Sequence, residues 1–251
     1  MSNIAIYTVL TGNYDELRQP EVIEDGFDYI CFSNDIRESQ IGIWQVRPFD
    51  NRNTNATRES RYPKLNPHAV LPEYEYSLYT DAKIRIDAPV FQRARDLAAS
   101  GCILAMIPHM LRDCVYQEAY SLACARVGEQ NLIWKQARFL LEEKFPQHQG
   151  LYDCAVMFRK HNTPEVIAFS TNWWNFYCRF SSRDQMAVTY ALHKANLTPE
   201  IFFPSSFYSD HTFPHLKKRK TFAEFSLTEK ICHYFEIYRM KWLLRRHGVS
   251  C

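Results

Sequence analysis

The sequence predicts an α/β fold, with a twisted and mostly parallel sheet flanked by helices and followed by a C-terminal helical tail. Short apolar runs of strand length alternate with longer segments whose apolar residues recur at helical spacing. The 251 residues are 46% hydrophobic and 15% aromatic, which is enough for a large core. No apolar run approaches the roughly 18 residues of a membrane span. The chain is therefore expected to fold as an α/β unit, although its length alone allows one domain or two small ones.

The predicted elements follow from composition and periodicity, taken in chain order. Strands are predicted where β-branched and aromatic residues cluster or alternate, at 4–10, 28–32, 43–47, 77–80, 84–86, 102–108 and 154–159. Helices are predicted at 89–99, 112–126, 131–145, 163–177 and 184–195. Because strands and helices alternate, the sequence favours parallel βαβ units with helices on both faces of the sheet.

The last part of the chain is predicted as a basic helical tail, residues 215–251, after a main domain of residues 1–214. The tail has nine basic and three acidic residues, a net charge of +6, whereas the whole chain carries +2. Helix-period apolar residues at 222–247 allow two interpretations. In the first, the aromatic face of the helix packs on the domain. In the second, the tail is a basic amphipathic helix that rests on an anionic membrane surface or docks a larger synthase partner. Nucleic-acid binding is a weaker third interpretation, because the remaining residues are acidic.

The N-terminus and the cysteines indicate the compartment. The first ten residues have no basic segment or cleavage site and resemble a strand, so a cytoplasmic protein is expected. The eight cysteines are scattered without a CxxC pair, which favours buried free thiols over disulfides or a zinc site.

A strand with alternating aromatic residues at 74–80 ends in Asp81, followed by Ala82 and Lys83. Ligands of open α/β sheets bind at the carboxyl ends of strands, so Asp81 is a candidate ligand for a metal or a nucleotide. The first strand likewise runs into a glycine turn, with the candidate residues Thr8, Gly12, Tyr14 and Asp15. The absence of GxGxxG and of a P-loop disfavours a dehydrogenase or a P-loop nucleotidase.

Three further segments could contribute to a site. Arg61 and Lys64 are three residues apart on a predicted helical turn. The default interpretation is that they lie on a solvent-exposed face of the helix, but they could also bind a diphosphate. His109, Arg112 and Glu118 follow the strand at 102–108, and either a structural or a functional role is open. Arg183, Asp184 and Gln185 open a helix that Ser181 or Ser182 could cap, so they could serve capping alone or bind sugar hydroxyls. His211 could ligate a metal with Asp81, contact phosphate, or begin the basic tail.

As an ordered set, these segments resemble a family of glycosyltransferase-like domains from bacterial capsule and polysaccharide loci and from plant pectin and mucilage proteins. The resemblance covers roughly residues 4–195, including Trp173-Trp174 and Gly150-Leu151. It implies a GT-A-like fold and transfer of a sugar from a nucleotide-sugar donor to a glycan acceptor in capsular or lipopolysaccharide synthesis. It places Thr8, Gly12, Tyr14, Asp15, Arg61, Lys64, Asp81 and Lys83 at the donor. It places His109, Arg112, Glu118, Trp173, Arg183, Asp184 and Gln185 at the sugar, the acceptor or the catalytic step.

GT-A enzymes carry Asp-x-Asp, whose carboxylates hold a divalent cation, but the third position here is Lys83. Since Lys83 repels a metal and can itself neutralise a leaving diphosphate, the sequence favours weak or no dependence on manganese or magnesium. An inverting enzyme would use Asp184 or Glu118 as its base, and a retaining one could use Gln185. The competing hypotheses are a non-catalytic glycan- or nucleotide-sugar-binding protein and, less favoured, a phosphoryl- or nucleotidyl-transferase.

Overall fold

The computed structural model describes residues 4–12, 15–50, 55–180, 183–213 and 222–250. Within these ranges, eight strands form one sheet: β1 (Ile4–Val9), β2 (Phe27–Phe32), β3 (Gln40–Ile41), β4 (Trp44–Arg47), β5 (Tyr76–Thr80), β6 (Leu104–Pro108), β7 (Tyr152–Arg159) and β8 (Glu200–Ile201). Their order in the sheet is β3-β4-β2-β1-β5-β7-β6-β8.

The helices of the described ranges are α1 (Ala56–Leu65), α2 (Pro67–Val70), α3 (Ala88–Ala99), α4 (Val115–Cys124), α5 (Gln130–Glu142), α6 (Pro164–Arg179), α7 (Gln185–Lys194), α8 (Phe207–His211) and α9 (Leu227–Arg246). Alternate residues of β1 enter two different cores, as strand geometry requires. Ile4 and Ile6 pack on the side of α3, whereas Ala5 and Tyr7 pack on the side of α4 to α7. The sheet is therefore covered on both faces, and the predicted α/β fold class is confirmed.

The direction of the strands defines where a ligand can bind. β1 pairs in parallel with β2 and with β5, β2 with β4, and β6 with β8, while β3 and β7 run antiparallel to their neighbours. Six strands thus share one direction, which confirms a mostly parallel sheet. The chain moves outward from β1 through β2 to β4 and then returns to the other side of β1 with β5. This reversal opens a crevice at the carboxyl ends of β1 and β5.

Some local predictions differ from the structure. The predicted strand at 84–86 is wrong, because the chain turns after β5 and only Ile84 forms an isolated bridge, to Thr212. The helix predicted from Arg112 begins only at Val115. The strands β3 and β8 were not predicted, since two residues carry no periodicity. All seven described cysteines are free, and four of them are buried: Cys31, Cys102, Cys114 and Cys154.

Helix α9 joins the main core by one side. Its Met240, Leu243 and Leu244 are buried with the residues of α4 and α5. The interpretation that the aromatic face packs on the domain is wrong, because Tyr238 and Trp242 lie on the exposed side. Residues 215–221 and 251 of the predicted tail lie outside the described residues. Among the described helices, none is long and apolar enough to span a bilayer.

Candidate active site

A polar pocket opens at the switch point, where β1 and β5 end and β7 begins. Helix α1 and the start of α7 close its sides. Its charged lining residues are Asp15, Arg61, Lys64, Asp81, Lys83, Asp153, Arg183 and Asp184. The predicted residues that follow β5 and open α7 are thus brought together with those of α1.

Asp81 follows β5 directly and is fixed by two donors. The Tyr79 hydroxyl donates to its Oδ1 at 2.6 Å, and the Lys64 ammonium donates to the same oxygen at 3.3 Å. Burial alone would raise the pKa of Asp81, but the charges of Lys64, Lys83 and Arg61 outweigh it and lower the pKa. Asp81 is therefore an ionised carboxylate that is stabilised by neighbouring cations.

Asp184 is the centre of a buried ion-pair network. Its Oδ2 lies 2.7 Å from Lys64 Nζ and 3.0 Å from Arg61 Nε. Its Oδ1 also accepts a hydrogen bond at 3.1 Å from the backbone N–H of Gln185, the first residue of α7. Burial acts to raise the pKa of Asp184, yet Lys64 and Arg61 hold it well below its usual range. A carboxylate held this way is a weak base and a strong positioning group.

Helix α1 presents its two cations on one face because they are three residues apart. The Asn55 side chain begins the helix by accepting hydrogen bonds from the N–H groups of Thr57 and Arg58. The default prediction of a solvated face is wrong for Lys64, whose side chain is 2% exposed. Burial alone would lower the pKa of Lys64, but Asp184 and Asp81 raise it, so the buried ammonium is charged.

The end of α1 is held from below by the fully buried Arg159 of β7. Arg159 donates to the carbonyl of Lys64 at 2.9 Å and to the hydroxyl of Tyr7. Burial raises the pKa of Tyr7 to about 12, so its hydroxyl is neutral and supports this contact. The support is rigid because β1 and β7 are both strands within the sheet. The position of Lys64 is therefore set by the core rather than by a loop.

Asp153 is a pocket residue that the sequence did not reveal. It lies near the start of β7 and accepts a hydrogen bond at 2.9 Å from the N–H of Ala155. Because β7 is antiparallel, its beginning lies at the same edge as the end of β5. Burial raises the pKa of Asp153, and the charge of Asp81 adds to the rise. The site thus holds carboxyl groups whose pKa values are shifted in opposite directions.

The other predicted donor residues lie around this pocket. Asp15 lines it directly, while Thr8 is buried within β1 below it. Gly12 lies in a left-handed turn at φ 67°, where an added Cβ would come within 2.8 Å of Ala56 Cβ. Only glycine therefore fits between the end of β1 and the start of α1. Tyr14, Ser181 and Ser182 fall outside the described residues.

The predicted acceptor residues divide between the pocket and other places. Arg183 and Gln185 line the pocket, and Gln185 Nε2 donates to the carbonyl of Tyr152 at 3.2 Å. Trp173 is fully buried instead, and its indole N–H donates at 3.0 Å to the carbonyl of Asp184. Its position excludes a direct sugar contact in this structure. Trp173 supports the network by holding the backbone that carries Asp184.

His109, Arg112 and Glu118 form a separate cluster between β6 and α4. Arg112 Nη2 lies 2.7 Å from the buried carboxylate of Glu118. The His109 ring Nδ1 accepts hydrogen bonds from the backbone N–H groups of Leu111 and Arg112. None of the three predicted residues lines the pocket. The structure therefore gives Glu118 an ion pair with Arg112. Burial and Arg112 lower the pKa of His109, although the charges of Glu118 and Asp153 act in the opposite direction.

The two predicted metal ligands, Asp81 and His211, have different partners in the structure. The structure does not bring His211 to Asp81, because its ring nitrogens contact Asp87 Oδ2 at 3.0 Å and the carbonyl of Phe207 at 2.9 Å. One oxygen of Asp81 is already taken by Tyr79 and Lys64. Across the described ranges, no group of three histidines, cysteines or acids is arranged to hold a metal.

The fold and the pocket define an α/β protein with a ligand site at its topological switch point, lined by four cations and four aspartates. The family model described as "TOD1/MUCI70, glycosyltransferase-like domain" matches residues 1–222, so the chain belongs to this family. The predicted resemblance is thereby confirmed.

Two similar proteins provide further comparison. The chain is 25% identical over 212 residues to "Probable hexosyltransferase MUCI70" of Arabidopsis thaliana, with 74% of this chain and 36% of the relative covered. It therefore spans only about a third of that relative's length. A solved structure titled "WbbM bifunctional glycosytransferase apo structure" aligns with 96% of this chain and 44% of its own, at a TM-score of 0.45 and 8% identity.

Proposed function

We propose that this protein transfers a sugar from a nucleotide-sugar donor to a glycan acceptor. The observation that carries the proposal is the convergence of four cations at the switch point of the sheet: Arg61, Lys64, Lys83 and Arg183. Nucleotides dock at this place in open α/β sheets, and guanidinium and ammonium groups are the usual partners of phosphate oxygens. Membership of a glycosyltransferase-like family and similarity to a probable hexosyltransferase support a sugar as the transferred group.

The leaving diphosphate needs positive charge as the glycosidic bond to its phosphate oxygen breaks. Lys64 and Arg61 are committed to Asp184, so they set the shape of the pocket and its field. Lys83 lines the pocket half-exposed, and no carboxylate within the described ranges lies at ion-pair distance from it. Lys83 is therefore the cation that contacts the diphosphate, and the reaction proceeds without a bound metal.

The acceptor hydroxyl must lose its proton as its oxygen bonds to the anomeric carbon. Asp153 is the base in this proposal, because its raised pKa makes it the stronger proton acceptor among the carboxylates of the pocket. Asp184 serves as a positioning residue instead, since its pKa is strongly lowered. The proton passes to Asp153 and the electron pair of the broken bond leaves with the diphosphate. A direct displacement of this kind inverts the anomeric configuration.

The acceptor and the transferred sugar form the finer part of the proposal. A capsular or lipopolysaccharide glycan as the acceptor comes from the family resemblance. The name of the plant relative supports a hexose as the transferred sugar.

A thermal-shift screen of UDP-, GDP-, CMP- and dTDP-sugars, with and without manganese, tests the function. A true donor at about 100 times its dissociation constant should add roughly 2.7 kcal/mol to the free energy of unfolding. The shift should disappear in Lys83→Ala and persist in Lys135→Ala, a matched control on the exposed side of α5. Mass spectrometry of the donor and acceptor should then show sugar transfer. Binding without consumption would favour the non-catalytic protein, and the absence of both would contradict the proposal.

A further inference from the structure

Helix α9 has two apolar faces, and only one of them packs on the protein. The buried face places Met240, Leu243 and Leu244 against α4 and α5. A capping box begins the helix, with Ser226 and Glu229 each accepting from the backbone N–H of the other. The capping box defines the start of the helix and the buried inner face fixes the helix on the domain, so its outer face has a defined direction.

The outer face carries six exposed apolar side chains, which we call the α9 stripe: Leu227, Ile231, Tyr234, Phe235, Tyr238 and Trp242. At about 100° per residue, their directions fall within a sector of about 100°. The stripe extends over about 22 Å at 1.5 Å per residue. An exposed apolar surface of this length and regularity marks a contact site.

The borders of the stripe are cationic. Lys230 and Lys241 lie along one border, and Arg245 and Arg246 lie at its C-terminal end, with the Arg246 guanidinium 5.2 Å from the Trp242 ring centroid. The two acids of the helix point elsewhere: Glu229 pairs with Arg126 on α4's C-terminal side, and Glu236 pairs with Arg239. The exposed face is thus apolar at its centre and positive along one border and at its C-terminal end.

We infer that the α9 stripe docks the protein on an anionic lipid surface. Tyrosine and tryptophan favour the boundary between headgroups and acyl chains, and lysine and arginine at the borders favour anionic headgroups. A helix lying flat on the domain surface can insert a convex apolar face to the depth of the headgroups without leaving the domain.

The charge disfavours a second copy of the chain as the occupant. Two copies facing each other would bring their Lys and Arg residues together, which is unfavourable. An anionic surface pairs favourably with the same cations.

Co-sedimentation with vesicles tests the inference, using the full chain. One set of vesicles is phosphatidylcholine alone, and the other is equal parts of phosphatidylcholine and phosphatidylserine. The protein should sediment with the anionic vesicles and not with the neutral ones, and binding should weaken as salt screens the headgroups. Equal binding to both sets, or to neither, would overturn the inference.

Matched variants locate the surface. Ile231→Ser removes a stripe residue that is 61% exposed and should weaken vesicle binding about tenfold. Ile23→Ser, at a position 68% exposed but far from α9 in sequence, should leave binding unchanged. Replacing Arg245 and Arg246 together with glutamine should weaken binding about thirtyfold, whereas Arg138→Gln on exposed α5 should not.

Two further readouts separate lipid binding from folding and from self-association. The melting temperature of Ile231→Ser should equal that of the unchanged chain, because the side chain is exposed. Light scattering should show one mass for both proteins. Vesicle binding that Ile231→Ser retains would overturn the inference, and so would a concentration-dependent dimer that the variant abolishes, since the occupant would then be a second copy.

Discussion

The pocket at the strand ends and the α9 stripe place their side chains in opposite ways. In the pocket, Lys64 and Asp184 are charged and almost fully buried, with side chains 2% and 9% exposed. On α9, Tyr238 and Trp242 are large and apolar, yet both are exposed. Each arrangement is unfavourable for an isolated chain, because buried charges lose hydration and exposed aromatic rings remain in water.

The two departures therefore point to different ligands. A buried cluster in which cations and carboxylates fix one another prepares a field for an anionic group that enters later. An exposed apolar face with cationic borders remains available for a surface that covers it. Both departures from ordinary packing coincide with the two regions for which we propose a function.

The largest expected effect is on stability, from removing one partner of the buried network. Asp184→Asn leaves the ammonium of Lys64 buried with a weakened counter-charge. It should lower the free energy of unfolding by about 3–5 kcal/mol in a urea titration. The matched control is Glu142→Gln in the Arg138–Glu142 pair. That pair has the same 2.7 Å separation as Lys64–Asp184, but its side chains are 55% and 54% exposed.

The control should cost about 0.5 kcal/mol or less, because solvent screens the pair. Equal losses in the free energy of unfolding for Asp184→Asn and Glu142→Gln would show that the buried network contributes no more to stability than an exposed ion pair. The comparison between the pocket and the surface would then fail.

The next effect is on catalysis. Asp153→Asn keeps the shape of the side chain and removes the proposed base, so kcat should fall about 10²–10⁴-fold. If Asp153 is the base, its ionised form is the active one, and its raised pKa should move the acidic limb of the rate profile above the ordinary value of 3.8. Activity should therefore decline at a higher pH than for an ordinary aspartate, and the limb should vanish in the variant.

Asp96→Asn, at an exposed position on α3, provides the control for Asp153→Asn. It should leave both kcat and the pH profile unchanged. If the rate of Asp153→Asn depended on pH as the rate of the unchanged protein does, another residue of the pocket would have to be the base.

Lys83→Ala should lower kcat about 10²–10³-fold, the usual cost of removing one group that stabilises developing charge. Its side chain is only half-buried, so the free energy of unfolding should change little. Lys83→Arg should recover part of the rate. Comparison with Asp184→Asn then separates the residue that contacts the leaving group from the residue that positions the others.

Trp173→Phe should have a small effect. It removes the indole N–H that donates to the carbonyl of Asp184 and keeps an aromatic ring in the core. Chemical denaturation should show a loss of about 1 kcal/mol. If the variant instead lost donor binding without any loss in the free energy of unfolding, Trp173 would have to contact the sugar directly.

The smallest effect is expected on the α9 stripe. Tyr238→Ser should change the free energy of unfolding by less than about 0.5 kcal/mol in the same denaturation measurement, because its ring is exposed. A loss comparable to that of a core residue would show that the ring packs on the protein.

Local patterns in the sequence predicted much of the fold and part of the site. The alternation before Asp81 and the spacing of Arg61 and Lys64 depend on neighbouring residues, so they could be interpreted directly. Asp153 could not be found this way. The sequence favoured a parallel sheet, which would place the start of β7 at the opposite edge, and strand direction is decided by pairing with β5 and β6.

The orientation of α9 shows the same limit. Apolar residues occur on both of its sides, so periodicity alone does not say whether Leu244 or Trp242 faces the core. Tertiary packing against α4 and α5 decides it. Trp173 shows the limit in the opposite direction. The sequence placed it at the sugar or the acceptor, but the structure buries it in the core, where it supports the backbone of Asp184.

The most direct test of the central claim is donor turnover in excess EDTA, measured by mass spectrometry with the sugar nucleotide that the thermal-shift screen selects. If Lys83 neutralises the leaving diphosphate, turnover should persist in EDTA and be largely lost in Lys83→Ala. Turnover that EDTA abolishes and manganese restores would contradict the account, because a metal would then supply the charge assigned to Lys83.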